Sequence, residues 1–298
     1  MKYVKCNLCG SDNYTILFEK EVAQVNQIVR CNVCNLMYAN PREKDADVVS
    51  IEKYTPEFVL SQIDNRKTQR ADKEALKVRD YETTKLFLNQ NFNSQKAKLV
   101  EIGSGLGYLA NFFQQDGWDV VGVEPNTGMC KYAEREFGLK VISTTIEKSG
   151  IAANSVDVVL TIHTNEHVPD PCGTFQEVYR ILKPGGIFVL ETPRYDTLMF
   201  KIMQERERSL RCDGHIYFFT HKTLTQMAQK THFEVLKIDD VGRSMTVDRL
   251  FYNLGVVSKS SKIQKSLNSI AQKFHLNQMW IYLNLQDMQR VYLTKPNS

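Results

Sequence analysis

Short apolar runs of strand length alternate along this chain with stretches of helical period, a pattern that predicts an α/β fold. Lys98–Ile102 is the clearest strand; a glycine turn follows it, and Tyr108–Gln115 reads as the next helix. Asp119–Val123, Val141–Ser143 and Val156–Leu160 are further strand-length runs, and Phe233–Val241 and Gln289–Pro296 read as strands near the C-terminal end. Between those last two, Ile263, Leu267, Ile270 and Phe274 recur at four- and three-residue steps. That spacing predicts an amphipathic helix over Lys259–Phe274, with Lys262, Lys265 and Lys273 off the apolar stripe. Residues 45–92 are rich in charge and carry Tyr54, Phe58, Ile63, Leu76, Tyr81 and Leu86-Phe87-Leu88 at partly helical spacing, so a helical cap or spacer is expected there. Nearer the front, Tyr14–Glu19 and Val25–Arg30 can form a pair of strands.

The turn after the first strong strand carries the most specific chemistry. Glu101-Ile102-Gly103-Ser104-Gly105-Leu106-Gly107 spaces its glycines G-x-G-x-G, whereas the dinucleotide fingerprint is G-x-G-x-x-G and seats a pyrophosphate on the helix N-terminus. A carboxylate at Glu101 would repel a pyrophosphate but welcome an amino group. Glu124 closes the following strand about twenty residues on, where an acid can accept hydrogen bonds from both ribose hydroxyls. These features set a nicotinamide-dependent oxidoreductase aside. The segment resembles the first motif of class I S-adenosylmethionine-dependent methyltransferases. Phe175–Ile181, the Lys183-Pro184-Gly185-Gly186 turn and Ile187–Thr192 match that family's next helix, turn and fifth strand, so the resemblance covers roughly residues 95–245. It implies a Rossmann-like, seven-stranded, doubly wound sheet whose last strand lies antiparallel beside the fifth. It also implies that Glu101, Gly103, Gly105, Gly107 and Glu124 hold S-adenosylmethionine, with Thr145 and Ile146 against the adenine and His163 walling the cofactor.

At the front of the chain, Cys6-x-x-Cys9 and Cys31-x-x-Cys34 have the spacing of a zinc ribbon: each pair forms a knuckle, and a hairpin joins the two around one tetrahedral ion. Four thiolates leave no open position, so the zinc is expected to be structural. Disulfides are the alternative, and a reducing compartment disfavours them. Cys130, Cys172 and Cys212 are scattered singly and read as small apolar residues. Gly10 and Asn40-Pro41-Arg42 make the module similar to the N-terminal ribbon on bacterial methyltransferases that modify sugars, glycans or natural products. The expected organisation is a ribbon over residues 1–44, a helical linker or cap over 45–92, and a methyltransferase domain over 93–298 with a helical insertion at about 245–285.

In a doubly wound sheet ligands bind beyond the carboxyl ends of the strands, which selects His163-Thr164-Asn165-Glu166-His167 and Pro193-Arg194-Tyr195. Glu166-His167-Val168-Pro169-Asp170-Pro171 is similar to the segment after strand four in quinone-type O-methyltransferases, and His167 could act as a base near neutral pH. Gly214-His215-Ile216-Tyr217-Phe218-Phe219 resembles a family segment that folds back over the acceptor, which makes His215 and Tyr217 acceptor-side candidates; a packed aromatic strand is the alternative. Sugar C-methyltransferases with a ribbon carry a Glu-His pair where this chain has Gly214-His215, and they have a further C-terminal domain. O-methylation of a sugar, glycan or related small molecule is therefore the expectation. The other class is an RNA- or protein-binding module, or an RNA methyltransferase, built on the same fold.

Composition narrows the setting. The 298 residues are 42% hydrophobic with a formal charge of +4, enough for an α/β core plus a small module and too mild a charge to imply nucleic acid. No apolar run reaches the ~20 residues of a membrane span and Met1–Cys6 lacks a signal-peptide core, so a cytoplasmic protein is expected. The amphipathic helix before the last strand is expected to pack on the domain or on a second subunit, with weak membrane-surface contact as the other outcome.

Overall fold

The computed structural model describes residues 2–19, 27–42, 78–207, 210, 214–247, 250–251, 266–267, 269–271, 273, 276 and 279–297. Their strands are β1 (Tyr14–Phe18), β2 (Ile28–Cys31), β3 (Met37–Ala39), β4 (Lys98–Ile102), β5 (Asp119–Val123), β6 (Lys140–Ile142), β7 (Val156–Ile162), β8 (Leu182–Pro193), β9 (Tyr217–Phe218), β10 (Glu234–Thr246) and β11 (Trp280–Thr294). The helices are α1 (Glu82–Asn91), α2 (Tyr108–Gln114), α3 (Thr127–Phe137), α4 (Pro171–Ile181), α5 (Leu198–Met203) and α6 (His221–Lys230).

Seven strands form the main sheet in the order β10-β11-β8-β7-β4-β5-β6. From β6 to β8 all pairings are parallel, and β11 inserts antiparallel between β8 and β10. Alternate residues of each central strand feed opposite faces, as a period of two requires. Val100, Ile102, Val121, Val123, Val159, Phe188 and Leu190 enter one core; Leu99, Val120, Val158, Leu160, Ile187 and Val189 enter the other, with Phe113 and Trp118. Helices on both faces cover a sheet that neither face can expose to water. Their starts are set locally: the Asn126 side chain accepts from the backbone N–H groups of Gly128 and Met129, Asp170 caps α4 with Pro171 behind it, and Thr220 and Thr223 form a reciprocal capping box on α6.

The ribbon is not a separate bead on this domain. Its three strands continue into β9, giving the order β1-β2-β3-β9, and Met37 and Tyr38 pair with Phe218 and Tyr217. Cys6, Leu8, Val29 and Tyr38 share one apolar cluster with Val100, Phe188 and Val291 of the main sheet.

Several expected boundaries move. β6 starts one residue before the expected Val141, and β8 takes in the Lys183–Gly186 turn, which falls at a register shift against β7 and whose Gly185 N–H and Gly186 carbonyl bond to Lys295. Of the expected strand Val25–Arg30, the residues from Ile28 onward form β2 and pair with β1, while Val25 and Asn26 lie outside the described residues. The insertion expected at 245–285 is narrower, because β10 and β11 run on together to the pair Thr246↔Trp280. Of the expected helix Lys259–Phe274, residues 266–267, 269–271 and 273 are helical and the rest lie outside the described residues. So do residues 43–44 of the expected ribbon, residues 45–77 of the expected cap, and Cys212; α1 supplies the end of the cap.

Candidate active site

The glycine loop, its acids and the His163–His167 loop gather at the carboxyl edge of β4, β5, β7 and β8. Gly103, Gly105 and Gly107 all take positive φ, at 71°, 53° and 81°. A Cβ on Gly103 would overlap Thr164 Oγ1, so the loop after β4 and the loop after β7 touch only because no side chain stands between them. A Cβ on Gly105 would meet nothing nearer than Met129 Sδ at 4.0 Å, and that open space is where a ligand can approach the backbone.

Two acids frame the turn. Glu124 Oε2 accepts from Gly105 N at 2.9 Å and Oε1 accepts from Asn126 N at 2.8 Å, so the acid at the end of β5 holds the glycine loop in shape. Burial pushes its carboxyl above the ordinary value against these two N–H groups. Glu101 is buried at 4% exposure, and its Oε2 has no hydrogen-bond partner among the described residues. Burial raises it to about 8, against a backbone N–H from Ala110 and with help from the Glu124 charge. An orphaned, buried carboxylate oxygen calls for a cation. The ammonium of S-adenosylmethionine fits that demand, and Glu124 retains lone pairs for a ribose diol. Thr145 opens the short 3₁₀ turn Ile146–Lys148 along the same edge, with Ile146 buried at 2% exposure.

The second half of the site is a cluster of imidazoles around Glu166. His163 takes φ 53°, which turns its ring back between two acids: Nδ1 lies 3.4 Å from Glu166 Oε1 and Nε2 lies 3.5 Å from Glu191 Oε1. Burial would lower its pKa, but the Glu166 contact and the charges of Glu166 and Glu191 raise it. Glu166 is fully buried, and burial would raise its carboxyl; the contact and charge of His163, with the charges of His167 and His215, hold it down to about 2. The His167 and His215 rings meet edge to face at 4.6 Å between centroids, and burial lowers the His167 pKa. One ligand atom from each of Glu166, His167 and His215 lies within 4.8 Å of the others. Sequence places His215 nearly fifty residues from this loop; what brings it in is the Glu166 carbonyl, which accepts from Ile216 N and Tyr217 N at 2.8 and 3.1 Å.

Tyr217 is the candidate that does not join the cluster. Its ring is fully buried, and its hydroxyl takes a hydrogen bond from Arg42 Nη2 at 2.6 Å and donates to Pro169 O at 3.1 Å. That arrangement ties the ribbon's exit to the loop after β7. Tyr195, selected in the sequence only by its place after the fifth strand, sets its hydroxyl 3.5 Å from His215 Nδ1. Sequence reasoning missed Glu191, which pairs with a buried Arg290 at 2.7 Å and accepts from Tyr81 at 3.2 Å. An acid at the end of the apolar run Ile187–Leu190 and an arginine ahead of Val291-Tyr292-Leu293 were the available signal.

Cys6, Cys9, Cys31 and Cys34 come together as their spacing predicts, with all four sulfurs within 4.8 Å of one another. Cys6–Cys34 and Cys9–Cys31 stand 3.4 Å apart, well beyond the ~2.05 Å of a disulfide. Such a cluster could form a zinc site. No helix among the described residues is long and apolar enough to cross a membrane.

A family model described as a methyltransferase domain matches residues 69–238. An uncharacterized methyltransferase from Mycobacterium sp. strain KMS is 34% identical over 93 residues, 31% of this chain and 37% of that protein. Another from Mycobacterium tuberculosis is 35% identical over 96 residues, again 31% and 37% of the two chains. The match thus spans little more than a third of the length of these curated relatives. Among solved structures, a chain of a complex between a methyltransferase activator and a methyltransferase of Haloferax volcanii superposes with a TM-score of 0.52 at 16% identity, covering 73% of this chain and 91% of that one. This likeness shows a shared fold.

Proposed function

The chain belongs to the methyltransferase-domain family, and from that premise we propose that it is an S-adenosylmethionine-dependent methyltransferase acting on an oxygen of a sugar, glycan or related small molecule. The observation that carries the reading is the unpaired, buried oxygen of Glu101 beside a left-handed glycine loop held by Glu124.

When bound, S-adenosylmethionine supplies a methyl group on a sulfonium that an acceptor can displace in line. Glu101 would hold the ammonium end, Glu124 would accept the ribose hydroxyls, and Thr145 and Ile146 would border the adenine. Most of the rate can come from placing the acceptor oxygen about 3 Å from the methyl carbon and keeping water out. An acceptor hydroxyl must also lose its proton. The buried His215 and the half-buried His167, beside Glu166, are the groups that can take it, and His163, between its two acids, would wall the cofactor. Cys6, Cys9, Cys31 and Cys34 would hold a structural zinc that keeps β3 in place against β9. Reduced cysteines of this kind suit a cytoplasmic setting.

Isothermal titration with S-adenosylhomocysteine tests the cofactor half: the expected result is binding that Glu124→Ala weakens at least tenfold, and absence of binding by the native chain refutes it. Mass spectrometry for a methyl gain across nucleotide-sugar and glycan pools tests the acceptor class. Turnover on RNA and on none of these pools would replace it.

A further inference from the structure

We infer that Glu166, His167 and His215 form a second metal site, for a divalent transition ion, at the acceptor side of the cofactor. Two imidazoles and one carboxylate are the donor set that zinc, cobalt, manganese and ferrous iron share, and three protein ligands leave positions open for an oxygen of a small molecule. Their ligand atoms already lie within 4.8 Å of one another. Donors around a single ion at ~2.1 Å stand roughly 3–3.5 Å apart, so the cluster has to tighten by an ångström or so, which side-chain rotation can supply.

Three further observations point to a cation. Glu166 is fully buried, and neither of its carboxylate oxygens has a hydrogen bond of good geometry among the described residues; its nearest charged neighbour is His163 Nδ1 at 3.4 Å. A buried carboxylate left in that condition is expensive unless a cation completes it. Second, the outer atoms are already engaged in the way that ligating histidines require. His215 Nδ1 faces Tyr195 Oη at 3.5 Å, and the His167 ring has a hydrogen bond to the backbone of Gly214. Third, Gly214 takes φ 85°, and a Cβ there would stand 3.0 Å from His167 Nδ1, so a glycine lets the segment carrying His215 close onto His167.

The site stands on these contacts alone; its use rests on the methyl-transfer reading. An acceptor hydroxyl on the open positions would lose its proton to water as the ion binds the oxygen. The oxygen then forms its bond to the methyl carbon as the carbon–sulfur bond breaks, and the neutral thioether leaves with the electron pair.

The test uses the full chain loaded with zinc at its cysteines, titrated with Co²⁺ and read by equilibrium dialysis and by visible absorption. The expected result is one cobalt per chain beyond the zinc, with a d–d spectrum free of sulfur charge-transfer bands. Glu166→Gln and His215→Gln should each weaken that binding at least a hundredfold, and Tyr195→Phe, which removes no ligand, about tenfold. Far-UV circular dichroism identifies any variant that fails to fold, and Tyr195→Phe then carries the test. No stoichiometric cobalt in the native chain, or equal binding by folded variants, overturns the inference. If S-adenosylhomocysteine binds and cobalt does not, the metal site alone falls; if cobalt binds and S-adenosylhomocysteine does not, the methyl-transfer reading falls and the site stands.

Discussion

Glu101 and Glu124 close adjacent strands of one sheet, yet the backbone treats them differently. Glu124 receives two N–H groups from the loops it faces, whereas one oxygen of Glu101 receives none. Glu101, raised to about 8 from an ordinary 4.5, keeps a proton in the folded chain that the unfolded chain has already lost. Its contribution to stability is therefore present below pH 4.5 and lost as pH rises toward about 8. A bound ammonium would reverse this by favouring the ionised acid. Titration of S-adenosylhomocysteine near pH 7 in buffers of different ionisation enthalpy should accordingly show close to one proton released, and Glu101→Gln should abolish the release. A second residue-scale prediction concerns His215. Whether it takes the acceptor proton or holds an ion that makes the acceptor hydroxyl more acidic, it acts mainly in the transition state, so His215→Ala should lower kcat by roughly 10²-fold with cofactor affinity almost unchanged. Equal losses in both would make it a packing residue.

Between elements, the strongest polar joint is the one that clamps β11 to β8. Arg290, 2% exposed, donates to Glu191 on β8, to Thr84 on α1 and to the Asp80 carbonyl, and its guanidinium lies over the Tyr81 ring. Removing one partner of a buried pair strands the other charge. Arg290→Ala should therefore destabilise the fold by about 3–5 kcal/mol in urea unfolding, while Arg290→Met combined with Glu191→Met should recover most of that loss. The same pair reaches the site, because Glu191 Oε1 is also a neighbour of His163 Nε2. In the double variant the His163 pKa should fall, which NMR titration of the ring protons would read.

Across the whole molecule, the ribbon and the acceptor segment are one mechanical unit. β3 pairs with β9, Ala39 N donates to Ile216 O, and Arg42 reaches Tyr217, so the chain on either side of His215 is anchored to the cysteine module. The cofactor loop, by contrast, is held by β4, β5 and Glu124. Stripping zinc with a chelator, or Cys31→Ser, should raise amide exchange over residues 214–219 and reduce turnover several-fold, with S-adenosylhomocysteine affinity changed far less. Equal loss of both would show that the ribbon supports the entire domain.

By itself the sequence determined whatever depends on neighbours along the chain. Apolar runs set β4, β5 and β7 within two residues at either end, glycine spacing set the left-handed turn, and C-x-x-C spacing gathered four sulfurs. Each of these is a local match between residue type and backbone, so it survives without knowledge of the fold. Tertiary structure decided what depends on distant segments meeting. It carried β10 and β11 into both ends of the expected helical insertion, because two long strands can satisfy each other's backbone groups. It moved Tyr217 from the acceptor to the ribbon joint, and it set Tyr195 and Glu191 beside the histidines. Nothing in the sequence near Glu166 announces that His215 will lie against His167; only the docking of residues 214–219 between the ribbon and the loop after β7 brings those rings within 4.6 Å.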